Sequence, residues 1–195
     1  MATNKLFIFT IALDAMPFLP TLFATFNRLP ASIDWHWSVA EGAAMNVLDT
    51  RWCQPQAPRL SKDGTSQFLA GLWKHPRVTV HQRPSWKGKV EMCNTCLADF
   101  KEPGLLLEVD ADECWLPHQI EAIVHMFNVW KGIQCARFCC RYFVGPNIVI
   151  TSANNYGNRA SEWLRAWRFT PARRFQTHEP PYLEAANTPF ATREE

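Results

Sequence analysis

Apolar residues along this chain fall into blocks that alternate between strand-like and helix-like spacing. Residues 5–12 (KLFIFTIA) predict a first strand, and PFLPTLFATFNRL (17–29) places apolar residues at helical spacing, with Pro17 suited to a first turn. WHWSVAEG (35–42) predicts a second strand ending at Glu41–Gly42. A Pro- and Gln-containing loop covers 50–62, and Asp63-Gly64-Thr65 opens a helix to about Trp73. RVTVHQ (77–82) alternates like a strand; a turn over Pro84–Gly88 leads into KVEMCNTCLADF, which is helical in period.

Pro103–Gly104 ends that helix, and GLLLEVD follows as an apolar run of the kind buried on both faces. Pro117 starts a further helix, PHQIEAIVHMF, and ARFCCRYFVG and NIVIT read as two strands joined by a Gly-Pro-Asn turn. In YGNRASEWLRAWRF (156–169), the spacing of Trp163 and Trp167 predicts helical packing of the two rings. Alternating strands and helices imply a parallel α/β sheet with right-handed crossovers. Such sheets bind ligands beyond the carboxyl ends of their strands, here Ala12–Met16, Glu41–Gly42 and Asp110–Glu113.

The third of these places holds the densest chemistry. LLLEVDADECW (105–115) carries Glu108, Asp110, Asp112 and Glu113 where a hydrophobic strand leaves the core. Asp110 and Asp112 can converge on one cation in the turn beyond the strand. Hard carboxylate oxygens suit Mg²⁺ or Mn²⁺, which complete their shell with water and substrate phosphates. The bland alternative is a set of solvated loop acids at the start of the helix at Pro117.

Composition narrows the class. The chain has 195 residues, 47% hydrophobic and 19% charged, which fits one globular domain. A formal net charge of +2 gives no reason to expect a nucleic-acid partner. The apolar N-terminal stretch is interrupted by Asp14, Pro17 and Pro20, so no transmembrane segment is expected. Seven cysteines without a signal peptide suggest reduced thiols and a cytoplasmic location. Cys93-x-x-Cys96 with Cys135, Cys139 and Cys140 could hold a structural zinc, but their helical and strand-like settings favour small buried hydrophobes.

Taken in order, VAEGAA (39–44), KDGTSQFL (62–69), WKGKVEMCN (86–94) and LLEVDADE (106–113) resemble the nucleotide-sugar-binding half of family-2-type glycosyltransferases with the GT-A fold. The resemblance implies a GT-A-like, Rossmann-like, mostly parallel central sheet flanked by helices, in a single domain. Residues 1–115 would be its nucleotide-sugar-binding half with the D-x-D, and 116–195 its acceptor-side half, with a loop-like tail from about 180. It implies transfer of a sugar from a UDP- or GDP-sugar to an acceptor hydroxyl on a glycan, lipid or protein, with Mn²⁺ or Mg²⁺ as cofactor.

Residue by residue, the resemblance puts Glu41 against the nucleobase or ribose and gives Asp63 either a nucleotide contact or a helix cap. It puts Lys89 near the nucleotide and leaves Asn94 as ligand or packing residue. Asp110 would lie toward ribose and metal, Asp112 would bind the metal directly, and His178 would complete the metal site. Glu108 and Glu113 would be supporting acids, with the divalent cation rather than a side chain as their positive partner.

The chain departs from the family in lacking a Pro-x-Tyr-Asn signature after the first strand, a downstream Glu-Asp pair and a Q-x-x-R-W motif. Glu162 is the first candidate for the base and Glu179 the second, while Tyr156, Asn158, Arg165 and Trp167 could hold acceptor or phosphate. Two alternatives remain. One is a catalytically degenerate nucleotide- or sugar-binding module of the same fold. The other is a D-x-D phosphatase, less favoured because its nucleophilic Asp usually follows the first strand.

Overall fold

A computed structural model of the chain describes residues 5–46, 54–145, 148–150, 163–179 and 181–184. Its first part alternates as β1 (Lys5–Ala12), α1 (Phe18–Asn27), β2 (Asp34–Asn46), α2 (Thr65–Gly71), β3 (Val78–Gly88), α3 (Lys89–Leu97), β4 (Gly104–Glu108) and α4 (Pro117–Val129). Then come β5 (Cys135–Phe138), β6 (Tyr142–Gly145), β7 (Ile148–Ile150), β8 (Trp163–Phe169), β9 (Arg174–His178) and β10 (Pro181–Glu184). The central sheet has six strands in the order β3-β2-β1-β4-β8-β5. β3, β2, β1 and β4 run parallel, and β8 is antiparallel to both β4 and β5. Two small antiparallel pairs, β6–β7 and β9–β10, complete the described strands.

Alternation within β1 and β4 divides the core in two. Leu6 and Ile8 with Leu105, Leu107 and Val109 face α1 and α4, whereas Phe7, Phe9 and Leu106 face α3 and β9. α1 presents Leu19, Leu22 and Phe26, and α4 presents Ile120, Ile123, Val124 and Phe127, each a one-sided stripe at helical spacing. α3 buries Met92, Cys93, Cys96 and Leu97 on the opposite side of the sheet. Burying each large side chain of this kind contributes about 1.5–3 kcal/mol, so the layers explain why the strands read as unbroken apolar runs.

The structure departs from the sequence reading at four places. β2 does not end at Glu41–Gly42 but runs on to Asn46 through a register shift between Glu41 and Ala43. Gly42 makes that bulge possible, at φ 135, a conformation side-chain-bearing residues rarely adopt. β3 likewise continues through the expected turn to Gly88. Residues 163–169 are a strand rather than a helix, because they fill the gap between β4 and β5. Trp167 and Phe169 pack on one face against Phe175 and Phe7, and Ala166 faces the other, so both faces are buried and periodicity alone misleads. The expected loop-like tail from about 180 begins instead with β10, paired to β9.

Candidate active site at the carboxyl edge of the sheet

Two loops meet beyond β1 and β2. Asp14, in a left-handed conformation at φ 52, receives two bonds from the Arg59 guanidinium, at 3.0 and 2.5 Å, and one from the Lys62 amide at 2.9 Å. The Arg59 contact holds its carboxyl below the usual carboxylate range. Asp63 accepts from the amides of Met16 at 2.8 Å and Thr65 at 3.1 Å, and the Thr65 hydroxyl accepts from the Ala15 amide at 2.8 Å. Asp63 therefore ties the first residue of α2 to the loop after β1. Burial would raise its pKa, but these bonds lower it.

Glu41 lies beneath this junction and is fully buried. Oε1 accepts from the Ser61 amide at 2.9 Å and the Ser66 hydroxyl at 2.6 Å, and Oε2 from the Gln82 amide group at 2.8 Å. Burial pushes its pKa up, but the bonds from Ser66, Ser61 and Gln82 outweigh that and leave the carboxyl below its ordinary value. With its oxygens taken by protein donors, Glu41 is an anchor for the 59–66 segment.

The turn after β4 closes on itself. The Glu113 amide donates to the Asp110 carbonyl at 3.0 Å, and the Asp110 amide donates to Glu113 Oε2 at 3.1 Å. Trp115 Nε1 also donates to Glu113 Oε2, at 3.1 Å. Asp112 stands exposed in this turn, with no hydrogen bond or ion pair among the described residues.

A side chain supplies the positive charge these acids need. Arg165 lies in β8, one step past the last paired residues Leu107 and Ala166, and is almost fully buried. It bonds Asp110 Oδ2 and Glu113 Oε1, the latter at 2.9 Å, and approaches Glu108 Oε2 to 3.7 Å. Its face also covers the Trp163 ring, 4.9 Å from the centroid. Burial disfavours the guanidinium charge, but Asp110, Glu108 and Glu113 more than restore it and raise the pKa. Burial pushes Glu113 up, opposing Arg165.

The sequence predicts an acceptor or phosphate contact for Arg165 and a divalent cation, rather than a side chain, as the positive partner of Glu108 and Glu113; Arg165 takes that place. The correction follows from β8 being a strand, which points Arg165 directly at the end of β4. A signal was present in the sequence: Glu108 sits inside an apolar run, and a buried carboxylate requires a charged neighbour.

His178, at the end of β9, is turned into the core. Its Nε2 lies 3.2 Å from Glu108 Oε1, and Cys93 of α3 completes a group whose ligand atoms all lie within 4.8 Å of one another. Asp110, Asp112 and His178 do not form such a group among the described residues. Asn94 bonds both ways with the Phe175 backbone, at 2.8 and 2.9 Å, and so pins α3 to β9. Lys89 is the first residue of α3, half-buried. Glu179 is half-buried in the turn between β9 and β10, while Glu162, Tyr156 and Asn158 lie outside the described residues.

A cleft of about 270 Å³ opens elsewhere, lined by Lys5, Asp34, His36, Arg77, Asp99 and Lys101. It sits at the amino ends of β1 and β2, away from the edge where parallel sheets bind ligands. The acid-bearing edge is therefore the candidate site.

The same architecture is found in solved structures of TarS from S. aureus, a GT-A-type glycosyltransferase. TarS 1-349 superposes with a TM-score of 0.53 at 13% identity, over 84% of this chain and 47% of that one. A second TarS chain gives 0.54 at 11% identity, over 84% and 28%, and TarS 1-349 in complex with UDP gives 0.52 at 12%, over 84% and 46%. The fold is of the GT-A type. The chain spans less than half the length of these TarS chains. No family model matches the sequence, and neither does any curated protein. Within the GT-A frame, the loop after β1, the segment 59–66 and the turn after β4 share the carboxyl edge of the sheet. No helix among the described residues is long and apolar enough to cross a membrane.

Proposed function

We propose that this chain is the donor-binding part of a glycosyltransferase that moves a sugar from a nucleotide-diphosphate sugar to an acceptor hydroxyl. The turn after β4 carries the reading. On a GT-A-type fold, Arg165 fixes Asp110 and Glu113, while Asp112 is left exposed and unbonded among the described residues. Asp112, with Asp110 behind it, suits Mn²⁺ or Mg²⁺, which take one or two carboxylates and fill the remaining positions with water and phosphate oxygens. Such an ion would supply charge stabilisation for a departing diphosphate.

The chain's own groups position the rest. Asp14 and Asp63 hold the two loops that would flank the nucleoside, Glu41 anchors one of them from below, and Lys89 would offer a cation to phosphate or base. TarS has been crystallised with UDP, which favours a uridine diphosphate donor over a GDP-sugar. The acceptor oxygen would bond to the anomeric carbon as the bond to the diphosphate breaks. In an inverting reaction the hydroxyl proton would pass to Glu162 or Glu179.

Calorimetry with UDP, with and without Mn²⁺, tests the proposal. Wild-type protein should bind more tightly with the metal, and Asp112→Asn should lose that gain while keeping its fold. Metal-independent binding, or an unchanged response in Asp112→Asn, overturns the metal assignment. A donor-hydrolysis screen then separates an enzyme from a degenerate binding module, which would bind without turnover.

A further inference from the structure

Three chemically different ligand groups meet inside the core, away from the exposed Asp112. Cys93 comes from α3, Glu108 from the end of β4 and His178 from the end of β9. The first two are buried, with Cys93 at 0% and Glu108 at 2% exposure, and the His178 side chain is 10% exposed. Both oxygens of Glu108 and both nitrogens of His178 lack a hydrogen-bond partner. The 3.2 Å approach between His178 Nε2 and Glu108 Oε1 is close enough for an ion pair, but it is not aligned as a hydrogen bond.

Buried polar atoms are nearly always satisfied, so four orphans in one place call for a partner that is not a side chain. Charge points the same way. Arg165 supplies one positive charge to Glu108, Asp110 and Glu113 together, which leaves the interior short of positive charge.

We infer that Cys93, Glu108 and His178 form a zinc site that ties α3, β4 and β9 together. Thiolate, imidazole and carboxylate are the three side-chain types zinc takes, at about 2.0–2.3 Å, with water able to fill a fourth position. The three donor atoms, from three different elements, already lie within 4.8 Å of one another, near the spacing that one such ion bridges. A nucleophilic role for Cys93 is excluded by its burial. Cys96, three residues on, does not belong to this group of donor atoms, and burial pushes its thiol up to about 12. Zinc here would bind through sulfur and nitrogen as well as oxygen, unlike the oxygen-only chemistry proposed for Asp112, and it would act on the fold rather than on a substrate.

Cobalt reports the difference. Chelator-stripped protein titrated with Co²⁺ should develop a thiolate-to-cobalt charge-transfer band that saturates at one ion per chain and is displaced by Zn²⁺. The band should vanish in Cys93→Ser and persist in Cys96→Ala and Asp112→Asn. Zinc affinity of His178→Gln should fall by more than the roughly 10- to 100-fold that loss of an outer-shell partner costs. If Cys93→Ser fails to fold by circular dichroism, His178→Gln carries the decision. A wild-type protein without the band, an undiminished band in Cys93→Ser, or unchanged zinc affinity in His178→Gln overturns the inference and leaves a simple Glu108–His178 ion pair.

Discussion

We predict that Arg165→Met is among the most destabilising single substitutions in the described chain, and that its effect fades in acid. Methionine can fill much of the space over Trp163, so the loss is mainly electrostatic. Glu108 is 2% and Arg165 3% exposed, which places the pair in the regime where removing one partner costs about 3–5 kcal/mol. With an unfolding slope of ~2 kcal/mol/M in urea, the midpoint should fall by about 1.5–2.5 M at pH 7.5.

Burial already raises the Glu113 pKa against the pull of Arg165, so without the guanidinium its folded pKa rises further above that of the unfolded chain. A carboxyl with a raised folded pKa favours folding at low pH, and that contribution is lost as pH rises through the folded value. The penalty should therefore shrink between pH 7.5 and about pH 5. Urea melts of both proteins at the two pH values decide it, and Arg165→Met/Glu108→Gln should recover part of the loss. A midpoint within about 0.3 M of wild type at pH 7.5, or a penalty that does not change with pH, refutes the reasoning.

Two further outcomes follow from the other anchors. Glu41→Gln should lose about 1.5–3 kcal/mol at pH 7, because a charged acceptor of three bonds becomes neutral. The folded pKa of Glu41 is lowered, so its contribution is present above the unfolded value near 4.5 and disappears as pH falls through the folded one. Wild type and variant should thus converge in melts taken toward pH 3, and curves that stay parallel would sink the assignment. Gly42→Ala places a Cβ 1.8 Å from the Arg83 carbonyl oxygen at a φ alanine resists. A cost of about 3 kcal/mol or more should lower the melting temperature by roughly 6–12 °C or more, and a loss under 2 °C would contradict the bulge geometry.

The parallel half of the sheet was legible because its strands and helices each bury a full face, which writes their period directly into the sequence. Asp63 was legible as an acid at the start of a helix and Asp110 and Asp112 as acids at a strand end, since both follow from local spacing. Arg165 was not. Its partner is set by β8 crossing back beside β4, and nothing near residue 165 encodes that neighbour. The same distance hid the meeting of His178 with Glu108, which join only when β9 folds over α3. Glu41 reads in the sequence as an acid at a strand end, but β2 runs on past it to Asn46, and its satisfied bonds depend on the bulge at Gly42 and on the path of the 59–66 loop.

The insertion of β8 between β4 and β5 has a consequence for how the chain is made. During synthesis β4 emerges with one edge open and with three carboxylates awaiting Arg165, because the strand that covers them lies far downstream. An apolar strand in that condition is an invitation to pair with another chain. The acids that close the turn after β4 would also keep its end hydrated on the ribosome, so that the charge neutralised in the mature protein first protects the nascent one.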